Sequence, residues 1–199
     1  AKVMKHGNRA ASSKSGSADL LEALNIKIDL DGVAVAKIFN EIGIAFAFAP
    51  KFHSAMRFAA PVRKELGRPT IFNILGPLSN PAKPAAYAIG VALPNMVELV
   101  ADVLARRGVD ALVFRGDDGM DEISITGKTY IAELKKGKIL EYEFNPQDYG
   151  FGLGRIEDIE VADIESSKKM MLGVLNGDKN TARDITILNA GAALYVSDI

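Results

Sequence analysis

The stretch KHGNRAASSKSGS, residues 5–17, is the segment around which the chain is organised. A short apolar lead, Val3-Met4, precedes it, and an amphipathic run over residues 18–24 follows it. This order predicts a strand, a polar loop and a helix N-terminus, where backbone N–H groups and the helix dipole favour an anion. Lys5, Arg9 and Lys14 add positive charge, and the serine hydroxyls add hydrogen-bond donors for phosphate oxygens. The segment is therefore either a phosphate or pyrophosphate site or a solvated basic loop with a serine cap.

Composition limits the class of protein. The chain has 199 residues, 48% of them hydrophobic, which is enough for a substantial core within one domain. Its 24 basic and 25 acidic side chains give a net charge of −1, which argues against a general nucleic-acid-binding protein. The absence of cysteine excludes disulfides and thiolate metal sites and makes the cytoplasm the default location. No apolar run has membrane-spanning length and no signal-peptide pattern opens the chain, so no membrane partner is predicted.

Apolar runs that alternate with amphipathic runs predict the fold class. Residues 44–49 are apolar and lie between Gly43 and Pro50, as expected of a buried parallel strand. Asp29-Leu30-Asp31 is predicted to begin the preceding helix, with Gly43 as its left-handed cap, and Ser17 or a neighbour is predicted to cap the first helix. This alternation favours an α/β fold with a mainly parallel central sheet and flanking helices.

The middle of the chain continues the alternation. A helix is predicted over residues 52–66, kinked or divided at Pro61, and a structured loop over residues 70–84. Two strands and an amphipathic helix are predicted over residues 87–92, 110–114 and 95–107.

After residue 122, the pattern of apolar and polar residues changes. Three runs alternate apolar and polar residues with a period of two, over residues 123–125, 129–134 and 139–144. Glycine and lysine turns separate them, so the pattern predicts an antiparallel meander appended to the sheet. Two helices are predicted over residues 166–175 and 181–196.

An acidic segment follows the strand predicted over residues 110–114. Asp121 and Glu122 are adjacent carboxylates after a strand, and their oxygens suit a hard cation such as Mg²⁺. A solvated turn is the alternative for such a pair. Asp117 and Asp118 are predicted to be turn residues.

Three blocks of sequence carry a resemblance that covers essentially the whole chain in order. They are residues 5–19, then 48–50, 53–56, 62–67 and 72–81, and finally 117–124. Together they resemble the anthranilate phosphoribosyltransferases, a family of nucleoside phosphorylase-like phosphoribosyltransferases. The resemblance implies transfer of the phosphoribosyl group from 5-phosphoribosyl 1-pyrophosphate (PRPP) to anthranilate. The products would be phosphoribosyl-anthranilate and pyrophosphate, in tryptophan biosynthesis.

The resemblance also implies the residues of the site. The residues along PRPP would be Lys5, His6, Gly7, Asn8, Arg9, Ala10, Ala11, Ser12, Ser13 and Ser17. Asn8 and Arg63 would bind anthranilate, although the residues around Arg63 are also typical of a solvated helix face. Asp121 and Glu122 would hold Mg²⁺, and the serine that completes the family's metal site is missing here. No residue is assigned as a catalytic acid or base.

The family has a small helical domain and a larger α/β domain, and it dimerises through the helical one. Residues 1–199 are accordingly expected to form one α/β phosphoribosyltransferase domain with remnants of the helical domain. The family's N-terminal helices, its glycine-rich loop and the end of its C-terminal helical region are missing. The chain is therefore expected to be an inactive fragment of a protein that is a homodimer in the cytoplasm.

Two other functions stay open at the level of the sequence. The pyrimidine nucleoside phosphorylases share the fold and a phosphate loop. Residues 75–81 disfavour this function, because they belong to a block that resembles the anthranilate phosphoribosyltransferases. Some relatives keep the fold and bind nucleic acid without catalysis. The near-neutral charge and the Asp121-Glu122 pair disfavour that function.

Overall fold

The computed structural model describes residues 1–9, 15–67 and 70–199. This part of the chain divides into two compact units, Ala1–Lys83 with Val161–Lys169 and Pro84–Glu160 with Met170–Ile199. The strands are β1 (Val3–Gly7), β2 (Ile44–Phe48), β3 (Ala86–Gly90), β4 (Asp110–Gly116), β5 (Thr129–Lys135) and β6 (Lys138–Phe144). The α-helices are α1 (Ser17–Ala23), α2 (Gly32–Ile42), α3 (Ala49–Phe52), α4 (Met56–Leu66), α5 (Phe72–Leu78), α6 (Met96–Arg106), α7 (Ile164–Leu175) and α8 (Thr181–Val196). Short 3₁₀ helices span Pro146–Tyr149 and Ile156–Asp158.

A parallel pair of strands forms the centre of the first unit. β1 pairs with β2 in a register that places Gly7 opposite Phe48. Ala47 and Phe48 are buried, which confirms the parallel strand predicted there. The hydrophobic cluster beside this pair consists of Ala18, Ile28 and Phe48, with Leu21 and Phe46 packed against them.

The ends of α1 and α2 are fixed by short polar contacts. The carboxylate of Asp31 accepts a hydrogen bond from the N–H of Ala34 at 2.8 Å, and Gly43 ends α2 in the left-handed conformation with a φ of 80°. Both ends predicted for this helix are therefore confirmed. The N-cap of α1 is Gly16, whose N–H donates to the carboxylate of Asp19 at 3.1 Å. A carboxylate in the first turn thus satisfies a donor at the start of the helix.

The helix predicted over residues 52–66 is divided, but not at Pro61. α3 ends before His53, α4 begins at Met56, and Pro61 lies inside α4. The side chain of His53 bonds to the carbonyl of Ser79 and to another ring, so this residue is fixed outside both helices. Tertiary contacts of His53 therefore decide the break, whereas Pro61 costs the helix one backbone hydrogen bond.

The loop predicted over residues 70–84 contains a helix, α5, so this prediction was wrong. The N–H groups of Ile74 and Leu75 both donate to the carbonyl of Ile71 at 3.0 Å. Gly76 and Pro77 lie in the last turn. A proline there removes only one hydrogen bond from a short helix, so its presence did not exclude the helix.

The second unit is built on a four-stranded sheet with the order β3-β4-β5-β6. β3 and β4 are parallel, and the pairs β4–β5 and β5–β6 are antiparallel. Lys136 and Gly137 both have positive φ values, 50° and 76°, as a tight turn between two antiparallel strands requires. The meander predicted over residues 129–144 is confirmed.

Helices cover the apolar surface of this sheet. α6 buries the face that its periodicity predicted, with Val97, Val100, Ala101 and Leu104 all at most 2% exposed. α8 contributes two residues to a hydrophobic cluster whose members are Leu112, Phe114, Ile123, Ile125, Ile131, Leu188 and Ala192.

The first of the three alternating runs is not a strand, and this correction has a clear cause. Ile123 and Ile125 are buried in the cluster just described, on either side of Ser124. The N–H of Ile123 donates to the side chain of Asn189, and that of Ser124 donates to the hydroxyl of Thr129, each at 2.9 Å. Side-chain oxygens therefore replace the carbonyls of a neighbouring strand. The alternation reflects two buried isoleucines around a hydrogen-bonded serine.

The α/β fold class is confirmed, with parallel strand pairing, flanking helices and an antiparallel meander. The strands of the described residues form two sheets, one in each unit, where one central sheet was predicted. The assignment of residues 1–199 to one domain stays a prediction. None of the helices in the described ranges is long and apolar enough to cross a membrane.

Candidate functional site

The site residues predicted from the sequence lie in both units, and each unit has its own arrangement. In the first unit, the pairing of Gly7 with Phe48 makes β1 and β2 end at the same edge of the sheet. Asn8 and Arg9 directly follow β1 at this edge, and Lys5 is exposed within β1. The carboxyl ends of parallel strands are the usual place for a ligand in α/β folds.

Arg9 is held by Glu22 of α1 and by Phe48 of β2. Its Nε and Nη2 donate to Oε2 and Oε1 of Glu22 at 3.0 and 2.7 Å, and its guanidinium carbon lies 4.7 Å from the centre of the Phe48 ring. The hydrogen bond to Glu22 raises the pKa of Arg9 and lowers the pKa of Glu22. The two side chains are 49% and 41% exposed. A phosphate that reaches this surface can therefore exchange with the Glu22 carboxylate at Arg9.

Neighbouring residues shape the backbone around Arg9. A Cβ atom on Gly7 would lie 3.2 Å from the ring of Phe46, so glycine lets this ring pack against the end of β1. Asn8 Oδ1 accepts a hydrogen bond from the N–H of Arg9 at 2.8 Å, which orients the turn after the strand. Ser17 is the exposed first residue of α1. Other residues predicted for this site lie outside the described residues, namely Ala10, Ala11, Ser12 and Ser13.

His6 and His53 form a pair that no motif of the sequence predicts. Their Nε2 atoms are 3.1 Å apart. His6 Nδ1 lies 3.2 Å from the carbonyl oxygen of Gly76, and His53 Nε2 lies 3.0 Å from that of Ser79. Because carbonyl oxygens only accept, the neutral pair is consistent with a proton on Nδ1 of His6 and another on Nε2 of His53. The single N–H at Nε2 of His53 is then shared between the Ser79 carbonyl and Nε2 of His6, which both accept.

Partial burial and the charge of His53 lower the pKa of His6 by more than its hydrogen bond to Gly76 raises it. The fold therefore favours the neutral form of His6. Sequence offered only a weak signal for this pair: these are the chain's two histidines, and each lies in a block of family resemblance. Nothing in their separation of 47 residues indicates contact.

Two more contacts join the segment over residues 72–81 to its surroundings. Asn80 Nδ2 donates to the carbonyl of Met4 in β1 at 3.0 Å. The guanidinium carbon of Arg63 in α4 lies 5.6 Å from the centre of the Phe72 ring, at the start of α5. The structure thus brings Arg63 to one end of this segment and β1 to the other.

In the second unit, Asp118 organises an acidic loop, which comprises residues 117–126. Its Oδ2 accepts from Ser124 Oγ and Thr126 Oγ1, both at 2.5 Å, and its Oδ1 accepts from the N–H of Met120 at 2.9 Å. Partial burial raises the pKa of the Asp118 carboxyl, but these three hydrogen bonds lower it by more, so the pKa lies below its usual value. Asp117 and Asp118 form the turn after β4, as predicted.

Asp121 and Glu122 are exposed residues of the acidic loop, and the backbone is held on both sides of them. The carbonyl of Asp121 packs directly on Gly90 at the end of β3, where an added Cβ would overlap the carbonyl oxygen. The N–H and the carbonyl of Ile123 are both hydrogen-bonded to the side chain of Asn189, each at 2.9 Å. Gly90 and Asn189 belong to none of the three blocks of family resemblance, and their roles depend on contacts between separate elements.

The donor set of the acidic loop fits Mg²⁺ in part. Asp121 and Glu122 offer hard carboxylate oxygens from adjacent, exposed positions. Mg²⁺ is commonly bound by one or two carboxylates, with water and substrate phosphate completing its coordination. Within residues 1–9, 15–67 and 70–199, no group of three His, Asp or Glu side chains could hold a metal ion by itself. The loop therefore suits a Mg²⁺ ion whose other ligands are water molecules and the oxygens of a bound phosphate.

Comparison with known sequences finds close relatives along the whole chain. The sequence model of the family described as "Glycosyl transferase family, a/b domain" matches residues 1–199. Anthranilate phosphoribosyltransferases from Methylobacillus flagellatus and from a Polaromonas species are 50% and 51% identical to this chain over 200 residues. The alignments cover all of this chain but only 59% and 58% of the two relatives. The chain thus spans less than two thirds of the length of the relatives it matches.

Solved structures agree with the sequence comparison. Anthranilate phosphoribosyltransferase from Thermus thermophilus has a TM-score of 0.92 and 40% identity, over 99% of this chain and 59% of that one. The enzyme from Saccharomyces cerevisiae in complex with PRPP and Mg has a TM-score of 0.89 and 26% identity, over 99% and 56% of the two chains. The yeast enzyme has also been solved in complex with 4-fluoroanthranilate.

Proposed function

Because the chain belongs to the glycosyl transferase family whose a/b domain it matches, we propose that the whole protein transfers the phosphoribosyl group of PRPP to anthranilate. The products are phosphoribosyl-anthranilate and pyrophosphate, and the pathway is tryptophan biosynthesis. Relatives at 50% and 51% identity carry the name of this activity. The ligands of the yeast enzyme, PRPP, Mg and 4-fluoroanthranilate, support the same reaction.

One observation on this chain carries the proposal. β1 leads into the basic segment, residues 5–17, and is joined to residues 72–81 by two contacts, from His6 to the Gly76 carbonyl and from Asn80 to the Met4 carbonyl. Transfer requires the amine of the acceptor and C1 of the donor ribose to meet in a fixed orientation. These contacts hold the segment that we assign to PRPP beside residues 72–81. Arg63, which we assign to anthranilate, packs on Phe72 at the start of the same residues.

We assign the PRPP side of the site to the segment at and after the end of β1. Its members are Lys5, His6, Gly7, Asn8, Arg9 and Ser17, together with Ala10, Ala11, Ser12 and Ser13 from the resemblance. During transfer, the bond between ribose C1 and a pyrophosphate oxygen breaks while C1 bonds to the anthranilate nitrogen, which then loses a proton. Lys5 and Arg9 stabilise the charge that develops on the leaving pyrophosphate.

Mg²⁺ is the proposed cofactor, and Asp121 and Glu122 are the residues that would hold it. When bound, the ion neutralises charge on the pyrophosphate. The support for this assignment is the chemistry of the two adjacent carboxylates and the exposure of both residues on a loop whose backbone is held on either side.

Arg63 and Asn8 are assigned to anthranilate, and Arg63 offers the sharper test. A guanidinium group binds a carboxylate through two parallel hydrogen bonds, and anthranilate has one carboxylate. In the whole protein, Arg63→Ala should raise the KM for anthranilate about tenfold or more and leave the KM for PRPP within about twofold. Steady-state kinetics with the fluorescent substrate anthranilate measures both constants.

Arg57→Ala is the matched control, because Arg57 lies on the same helix with its guanidinium carbon 4.8 Å from the centre of the Phe58 ring. It should leave both constants unchanged. Equal effects of Arg63→Ala on the two substrates would contradict the carboxylate assignment. Phosphorolysis of thymidine or uridine without anthranilate consumption would overturn the proposed function itself.

We also propose that the whole protein is a homodimer and acts in the cytoplasm, and that residues 1–199 alone are inactive. The family resemblance supports these three statements. Light scattering on the whole protein tests the first, and fluorescence microscopy of a tagged whole protein tests the second. Anthranilate consumption by the 199-residue chain with PRPP and Mg²⁺ would contradict the third.

A further inference from the structure

We propose that Asn189 of α8 is a positioning residue for the carboxylates of Asp121 and Glu122. Its Oδ1 accepts from the N–H of Ile123, and its Nδ2 donates to the carbonyl of Ile123, each at 2.9 Å. Nδ2 also donates to the carbonyl of Ile185 one turn earlier in α8, at 3.0 Å. These three bonds use both amide hydrogens and the amide oxygen, so the orientation of the side chain is fixed.

The contact acts on the backbone that carries the carboxylates. The N–H of Ile123 belongs to the peptide group that begins at the carbonyl carbon of Glu122. Since a peptide group is planar, a hydrogen bond to this N–H also fixes the plane that follows the Glu122 Cα atom. On the other side, the carbonyl of Asp121 packs against Gly90. Asn189 and Gly90 therefore restrain the two ends of the carboxylate pair.

The side chain of Asn189 replaces the backbone hydrogen-bond partners that a neighbouring strand would offer to Ile123. Ile123 lies outside the strands of the sheet, and the asparagine amide supplies the acceptor and the donor that a paired residue would have supplied. The side chain comes from another element, 66 residues away, so the position of the loop depends on α8. Residues that orient metal ligands commonly change metal affinity by about 10–100-fold when they are mutated.

The test is metal binding by the whole protein, measured by the electron paramagnetic resonance of Mn²⁺ in the presence of PRPP. A protein-free solution of Mn²⁺ and PRPP is the baseline, because the pyrophosphate binds the ion by itself. This inference rests on the proposed function, so Asp121→Asn combined with Glu122→Gln is the reference and should abolish Mn²⁺ binding. Asn189→Ala should weaken Mn²⁺ binding about tenfold. The KM for anthranilate should stay unchanged, because Asn189 does not act on that substrate.

Thr186→Ala is the matched control. Thr186 is an exposed residue of α8 whose hydroxyl donates only within the helix, to the carbonyl of Ala182 at 2.7 Å. It should leave Mn²⁺ binding unchanged. If Asn189→Ala does not fold, Asn189→Gln keeps the amide but displaces it by one methylene, and we expect the same loss of affinity.

The outcomes separate the two proposals. Unchanged Mn²⁺ affinity in a folded Asn189 variant, with binding lost in the Asp121 and Glu122 double variant, would overturn the role of Asn189 alone. Mn²⁺ binding that survives the double variant would overturn the metal assignment and this inference with it. Absence of transferase activity in the wild-type protein would count against the proposed function, whereas the Mn²⁺ measurement would still decide the role of Asn189.

Discussion

The acidic loop after β4 and the basic segment after β1 present opposite charges, and the structure holds them by different means. In the acidic loop, the N–H groups of residues 120, 123, 124 and 126 all donate to side-chain oxygens, two of which belong to the buried residues Ser124 and Thr129. In the basic segment, Arg9 is held by an exposed pair with Glu22. Hydrogen bonds from the backbone to side chains fix the position of the loop that carries the carboxylates, whereas an exposed ion pair leaves the charge of Arg9 free to exchange its partner.

The largest expected effect comes from the contact between Gly90 and the acidic loop. Gly90→Ala should lower the free energy of unfolding by about 3 kcal/mol, because the new Cβ meets the Asp121 backbone, which cannot move away like a flexible side chain. Gly191→Ala is the control, since nothing lies within 4 Å of its added Cβ in α8. It should raise the free energy of unfolding by about 0.5–1 kcal/mol. Urea denaturation of both variants measures the difference, and equal midpoints would contradict it.

A smaller effect is expected at the carboxylate that organises the acidic loop. Asp118→Ala should lower the free energy of unfolding by about 2 kcal/mol, because the buried hydroxyl of Ser124 and the N–H of Met120 lose their acceptor. Asp117→Ala removes an exposed carboxylate from the same turn and should change the midpoint little. Thermal denaturation compares them. Equal shifts would mean that Asp118 does not hold the loop together.

The stability of the first unit should depend on pH through the protonation of His6. Its pKa is lowered in the fold, so the unfolded chain binds a proton more readily, at a pKa of about 6.5. The stability from neutral His6 is therefore complete above about pH 6.5 and is lost as the pH falls through the lower folded-state pKa. His6→Gln should weaken this loss between about pH 7.5 and about pH 5. Melting temperatures across that range test it, and parallel curves for the two proteins would contradict it.

The smallest effect is expected at the exposed pair. Glu22→Gln should lower the KM for PRPP about two- to threefold in the whole protein, because a phosphate no longer displaces a carboxylate from Arg9. Glu41→Gln breaks another exposed pair in the same unit, with Lys37, and should leave this KM unchanged. A KM for PRPP that is unaffected by Glu22→Gln would show that phosphate does not use this face of Arg9.

Sequence predicted those parts of the fold in which local pattern and burial agree. α6 and α8 begin and end within a residue or so of the predicted limits, because a regular apolar face fixes a helix. The strand predicted over residues 123–125 was wrong, because two buried isoleucines alternate there with a serine that is hydrogen-bonded by side chains, namely those of Asp118 and Thr129, while Asn189 binds Ile123. Asp118 and Thr129 lie within six residues of Ser124, whereas Asn189 comes from α8, 66 residues from Ile123. An alternation of apolar and polar residues encodes none of these contacts.

The candidate site divides in the same way. Asp121 and Glu122 could be identified because two carboxylate residues are adjacent in the sequence and follow a predicted strand. The pairing of His6 with His53 and the packing of Gly90 on Asp121 could not, because each depends on how separate elements meet. Residues that would bind a ligand were therefore easier to predict than residues that hold the binding residues in place.

The contact between Asn189 and Ile123 has a consequence for synthesis on the ribosome. A chain grows from its N-terminus, so the acidic loop and the strands β3–β6 leave the ribosome before α8 does. Until residue 189 has emerged, the N–H and carbonyl of Ile123 lack the amide that pairs with them in the fold. Docking of α8 must then close a loop of 66 residues. The carboxylate pair therefore acquires its final geometry late, in the same step that brings α8 onto the sheet.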